Sequence, residues 1–164
     1  MPPHLKKGDT VAIIATARKI DVSTLQPGIK LLESWGLKVI LGKTIGKEQN
    51  QLAGADWQRA TDLQEMLDNP NIKAIWCVRG GYGTVRIIDK LDFINFKKNP
   101  KWIIGFSDVT VLHSHMNQLG FQTLHAMMAI SAPSATTAAK ESLRKTLFGE
   151  KLSYSIPFHA FNQL

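Results

Sequence analysis

The sequence predicts an α/β fold of three layers, a mostly parallel sheet with helices on both faces. Three observations carry this. Strand-like and helix-like segments alternate through most of the 164 residues. The strand-like segments are near-continuous apolar runs, as strands covered on both faces require. Between them lie stretches whose apolar residues recur at helical spacing and supply the crossovers. The length suits one domain of about 100–200 residues, and a hydrophobic share of 44% is enough for a packed core.

Asp9–Ala15 (DTVAIIA) is a short β-branched run after the Gly8 turn and reads as the first strand. Ser23-Thr24 cap a helix running to Trp35, with Leu25, Ile29, Leu32 and Trp35 on one face, and Gly36 ends it. Leu37–Leu41 is the second strand, and the polar, glycine-bearing stretch from Lys43 to Asp56 is a loop. A helix then presents Ala60, Leu63 and Leu67 and stops at Asn69-Pro70. Lys73–Val78 is the third strand, with a helix over Thr84–Leu91 after it. Lys101–Gly105 is the fourth, with a helix opening at Ser107 and ending at Gly120. Phe121–Leu124 is a fifth strand, Ser131–Thr137 a loop and Ala138–Phe148 a last helix. From Gly149 on, the sequence reads as linker with one strand-like piece, Leu152–Ile156. The organisation expected is an α/β domain over 1–149 and the start of a linker over 150–164.

The net charge of +7 raises the question of nucleic acid. Lysines and arginines are scattered over loops and element ends, with no basic helix, so a solvated basic surface is expected and no nucleic-acid partner. No apolar run approaches the roughly 18 residues of a membrane helix. The run after the basic N-terminus is too short for a signal peptide. The one cysteine, Cys77, rules out an internal disulfide and fits a reducing compartment. The expectation is a soluble, cytoplasmic protein.

Two segments stand at carboxyl ends of strands, where open parallel sheets bind ligands. In Gly105-Phe106-Ser107-Asp108-Val109 a strand runs through glycine into a serine that opens a helix. That is the geometry of a nucleophile elbow, with a helix N-terminus to favour an oxyanion, although Val109 stands where a second glycine is usual. Equally, Ser107 or Asp108 caps the helix. In Arg79-Gly80-Gly81-Tyr82-Gly83, three glycines in four positions let backbone N–H groups approach a ligand. The spacing matches neither a P-loop nor a dinucleotide fingerprint, and the alternative is a tight turn between strand and helix.

Taken with G-D-T-V-A-I-I-A at Gly8–Ala15, A-G-A-D-x-x-R-A-x-D-L at Ala53–Leu63, L-D-F at Leu91–Phe93 and T-L-H at Thr123–His125, these segments make the chain resemble the LD-carboxypeptidase family. That family holds the muramoyl-tetrapeptide carboxypeptidases, with the microcin-immunity peptidases as relatives. The resemblance implies the N-terminal domain of a two-domain serine peptidase. The reaction implied is removal of a terminal D-amino acid from murein tetrapeptides during cell-wall recycling. It places the nucleophile at Ser107 and the oxyanion hole at the backbone N–H of Asp108 with one N–H of Gly80-Gly81. The family's Glu and His lie in a C-terminal domain that this sequence does not reach, so the chain alone is expected to be inactive. No metal or organic cofactor is implied. The partners implied are a murein peptide, the C-terminal domain, and a second copy, since the complete enzymes are often dimers. Ala15-Thr16-Ala17 departs from the family's A-P-S and His125-Ala126-Met127 from its H-G-P. Two other readings stand beside this one: a microcin-type peptidase acting on a peptide or acyl-adenylate, and a domain that binds cell-wall peptides without cutting them.

The five histidines offer no evident base. His113 and His115 are expected to point away from the serine end of their helix, with rings on different faces that make a poor metal pair. His125 could line the edge of the site; a structural role is expected. His4 and His159 sit in the termini. Cys77 reads as a small buried hydrophobe, and Trp35, Trp57, Trp76 and Trp102 as packing residues. The tail aromatics, with Ile156, read as an apolar surface awaiting a partner.

Overall fold

The computed structural model describes residues 1–155, 158 and 161. Five parallel strands form one sheet: β1 (Thr10–Ile14), β2 (Lys38–Leu41), β3 (Ile72–Cys77), β4 (Trp102–Gly105) and β5 (Leu124–His125), in the order β2-β1-β3-β4-β5. Among the described residues, five α-helices accompany them: α1 (Gln26–Ser34), α2 (Asp56–Asp68), α3 (Ile94–Lys98), α4 (Thr110–Gln118) and α5 (Thr137–Phe148). The strands read as continuous apolar runs because both faces are covered. Val11, Ile13, Trp76 and Ile104 pack under α1 and α5, meeting Leu32, Leu143 and Leu147. Ala12, Ile14, Ile75 and Ile103 pack under α2, α3 and α4, meeting Leu63, Leu67, Phe96, Leu112 and Met116. Adjacent side chains of a strand point to opposite faces, so each strand feeds both cores. The expected three-layer parallel α/β architecture is the one observed.

Local departures have local causes. The first helix is entered by a 3-10 turn, Val22–Leu25, capped by Asp21, whose carboxylate accepts from the Ser23 N–H at 2.9 Å; Ser23-Thr24 are not the cap. The helix expected over Thr84–Leu91 is two 3-10 turns, Thr84–Arg86 and Ile88–Lys90. Its β-branched run disfavours a regular helix. The Thr84 N–H is also engaged by the Asp108 carboxylate at 2.9 Å. The fifth strand starts at Leu124 and not at Phe121, because the Phe121 N–H bonds back to the Met116 carbonyl at 2.9 Å beyond the left-handed Gly120. Trp57 is 67% exposed rather than packed. In the tail no strand forms over the described residues 152–155, and Ile156 and His159 lie outside the described residues. Among the described residues, no helix is long and apolar enough to cross a membrane, and no cluster of His, Cys, Asp and Glu could hold a metal.

Parallel pairing of β3 with β4 (Ala74↔Trp102, Trp76↔Ile104) brings the Arg79–Gly83 and Gly105–Asp108 segments to one sheet edge. The loop after β1 joins them there. The strand order reverses between β1 and β3, the position at which open α/β sheets form a crevice.

Candidate active site

Ser107 sits where β4 passes into a 3-10 turn, Ser107–Val109, that leads into α4. Phe106 is extended (φ −152°, ψ −172°), and the chain then turns so sharply that Ser107 takes φ +60°. A left-handed serine is a backbone that tertiary packing must hold in place. The packing is visible on both sides. A Cβ at Gly105 would stand 2.9 Å from each methyl of Val109, so Val109 folds back over Gly105 and closes the turn from below. This accounts for valine where the elbow pattern has glycine. Ser107 itself is exposed.

The Gly80 backbone closes the turn from the other side. A Cβ there would meet Ser107 Cβ at 3.0 Å, Ser107 Oγ at 3.1 Å and the Asp108 nitrogen at 3.2 Å. Gly81 follows at φ +115° and Gly83 at φ +149°, which few residues other than glycine adopt. Neither the Gly80 nor the Gly81 N–H has an acceptor among the described residues. The four predicted site residues therefore converge: Ser107, Asp108, Gly80 and Gly81 share one small volume. Free N–H donors at a helix start, beside an exposed hydroxyl, can hold negative charge that develops on an attacked carbonyl oxygen.

Several residues that hold this arrangement were not singled out from sequence. Asp108 accepts from the Thr84 N–H, and the Thr84 hydroxyl lies 2.9 Å from that of Thr16, so the three loops are tied together. Buried Arg59 donates from Nη1 to the carbonyls of Thr16 (2.6 Å) and Gly83 (2.8 Å) and pairs with Asp56. A hydrogen bond from Arg86, before any other cause, holds the Asp56 carboxyl below the usual carboxylate range. The signal was present in the motif at Ala53–Leu63, which carries both Asp56 and Arg59, but nothing in the spacing says that Arg59 crosses to two other loops.

The histidines behave differently from expectation in one case. His113 does not point away: its Nε2 meets the Gly105 carbonyl at 2.9 Å and its Nδ1 the Thr123 hydroxyl at 2.8 Å. Helical side chains lean toward the helix N-terminus, which returns this ring to the end of β4. Burial lowers its pKa; the Gly105 bond raises it and His125 lowers it further. The neutral ring donates from Nε2 and accepts at Nδ1, and both nitrogens are occupied. His115 packs on Phe93, ring centroids 4.8 Å apart. His125 lies beside Phe106 (6.1 Å) and His113 (6.0 Å). No described histidine is hydrogen-bonded to Ser107. Cys77 is fully buried, and burial pushes its thiol up to about 12.

Fold and site together describe a parallel α/β domain presenting a serine on a left-handed strand-to-helix elbow, against a glycine turn of the neighbouring strand. The profile of the LD-carboxypeptidase N-terminal domain matches residues 11–126, and the chain belongs to that family. It is 42% identical over 128 residues to a Bacillus subtilis protein named "Probable murein peptide carboxypeptidase", covering 77% of this chain and 40% of that one. To the murein tetrapeptide carboxypeptidase of Pseudomonas aeruginosa it is 37% identical over 120 residues, covering 73% and 39%. The solved structure of the microcin C7 self-immunity protein MccF in complex with aspartyl sulfamoyl adenosine superposes with a TM-score of 0.85 at 27% identity, covering 95% of this chain and 50% of that one. The chain thus spans about half the length, or somewhat less, of the relatives it matches.

Proposed function

We propose that this chain is the nucleophile-bearing domain of a serine-type LD-carboxypeptidase that removes a terminal D-amino acid from murein tetrapeptides. Ser107 Oγ attacks the scissile carbonyl, and the N–H groups of Asp108 and of Gly80 or Gly81 receive the oxyanion. The observation that supports this best is exposed Ser107 at φ +60°, with the Gly80 backbone so close that a Cβ there would stand 3.0–3.2 Å from Ser107 and the Asp108 nitrogen. A serine hydroxyl keeps its proton without a base and is then a weak nucleophile. His113 is fully bonded and the other described histidines are placed elsewhere, so the reading assigns the base and its carboxylate partner to a second domain, beyond a linker that starts near Glu150. The 164 residues alone are then expected to turn over negligibly, and the working protein to act in the cytoplasm on recycled wall peptides, with no cofactor.

The test is D-alanine release from a murein tetrapeptide by the full-length gene product. Ser107→Ala should lower kcat by about 10⁴-fold or more, as removal of a triad nucleophile does. Turnover that survives the substitution refutes the nucleophile assignment. A second reading, cleavage of a peptidyl or acyl-adenylate, draws on the likeness to MccF. An aminoacyl sulfamoyl adenosine that competes with the tetrapeptide in the low micromolar range would favour it. Specific binding of tetrapeptide with no turnover, unaltered by Ser107→Ala, would instead leave a non-catalytic binding domain.

A further inference from the structure

The turn that carries Gly80 and Gly81 has a cation laid across it. A Cβ at Gly81 would fall 2.6 Å from both Cγ and Cδ of Arg18 and 2.9 Å from its Nε. The aliphatic stem of Arg18 therefore lies directly on the Gly81 backbone, one residue from the glycine that touches Ser107. Arg18 is exposed and forms no ion pair among the described residues; its one hydrogen bond runs from Nη2 to the Gln51 side-chain oxygen at 3.3 Å. The neighbouring charges are otherwise engaged. Arg59 and Arg86 both pair with Asp56, and Asp108 accepts from the Thr84 N–H.

We infer that Arg18 anchors the free carboxylate of the substrate's terminal residue, an inference that rests on the carboxypeptidase reading above. In any substrate that loses its last residue, three bonds of about 1.3–1.5 Å join the scissile carbonyl carbon to the terminal carboxylate carbon, so the two lie within about 4 Å. With the carbonyl over Ser107 and its oxygen at the Gly80-Gly81 N–H groups, the carboxylate falls beside Gly81, within reach of a guanidinium based there. A guanidinium offers a fork of donors that matches a carboxylate. Gln51 is a weak resting partner that an incoming carboxylate displaces without stranding a buried charge. Arg79 is the competing cation and is less well placed. It donates to the Lys19 carbonyl at 3.3 Å and lines a cleft of about 560 Å³ with Lys19, Asp21, Lys47 and Glu48, whereas the Arg18 stem lies on Gly81 itself.

The inference is tested in the full-length gene product carrying Ser107→Ala, with calorimetric binding of two probes: a murein tetrapeptide ending in D-alanine as the free acid, and the same peptide as its C-terminal amide. The acid should bind about 10–100-fold tighter than the amide, the range that charge-assisted hydrogen bonds provide. Adding Arg18→Gln should bring that ratio close to one while leaving amide affinity and thermal stability unchanged. Arg18→Lys should keep part of the preference, and Arg79→Gln should keep all of it. A ratio unchanged by Arg18→Gln, a parent that does not prefer the acid, or a protein that binds neither peptide overturns the assignment. Failure of the underlying reading looks different: Ser107→Ala still cleaves the acid peptide, and the acid-to-amide preference is then read from kcat/KM.

Discussion

Gly80→Ala separates the chemistry of the elbow from its stability. Gly80 does not have a positive φ, so alanine is acceptable to its backbone and the whole effect is steric. The new methyl would stand 3.0 Å from Ser107 Cβ, 3.1 Å from its Oγ and 3.2 Å from the Asp108 nitrogen. Ordinary contacts between carbon atoms lie at about 3.5–4.0 Å, so the elbow and the glycine turn must part by about half an ångström. Overpacking costs about 1–3 kcal/mol, and the low end applies because Ser107 is at the surface and has room to move. On the proposed function the N–H groups of Gly80, Gly81 and Asp108 that would receive the oxyanion move with it, and loss of one such donor costs about 10²–10³ in kcat. Two measurements on the full-length protein check this: D-alanine release and thermal unfolding. Activity should fall about 100-fold or more, while Tm falls by only a few degrees, at about 2–4 °C per kcal/mol for a domain of this size. Gly105→Ala is the internal comparison. Its Cβ would stand 2.9 Å from both methyls of buried Val109, so it should lose more stability than Gly80→Ala. The reasoning fails if Gly80→Ala turns over at the wild-type rate, or if its activity loss merely tracks the unfolded fraction.

Other outcomes follow from buried groups and from the tail. Burial pushes the Lys101 ammonium down to about 8 from its ordinary 10.5, although it donates to the Met66 and Asn69 carbonyls at 3.0 and 2.6 Å. The unfolded chain then holds more protons than the folded one between those values, so stability should rise with pH from about 8 to 10.5. The gain relative to Lys101→Met should be on the order of 2–3 kcal/mol in urea unfolding, and parallel pH profiles for the two proteins would refute it. Cys77 should stay unreactive to a disulfide reagent at pH 8 until denaturant exposes it, when one thiol per chain appears; fast labelling of the native protein would contradict its burial. Tyr154, Phe158 and Phe161 are 68%, 75% and 87% exposed. The 164-residue chain should therefore scatter light above monomer mass and a chain ending at Gly149 should not; a strictly monomeric parent would show that this surface needs no partner.

Sequence by itself determined the layers and the strands. The three central runs became strands buried on both faces, and that burial is written into residues 11–14, 74–77 and 102–105, while the edge strands β2 and β5 are exposed or half-buried. It also marked Gly80, Gly81, Ser107 and Asp108, since glycines directly after a strand and a serine that opens a helix are local patterns. Distances between segments were decided only by tertiary structure. Nothing local says that His113 turns back to the Gly105 carbonyl, that Arg59 joins the Thr16 and Gly83 loops, or that Arg18 lies across Gly81. These contacts join residues 8 to 63 positions apart, and they exist because the parallel register of β1, β3 and β4 delivers three loops to one edge. Periodicity reports which face of an element is buried; which side chains meet at its end depends on how the neighbouring strands are aligned.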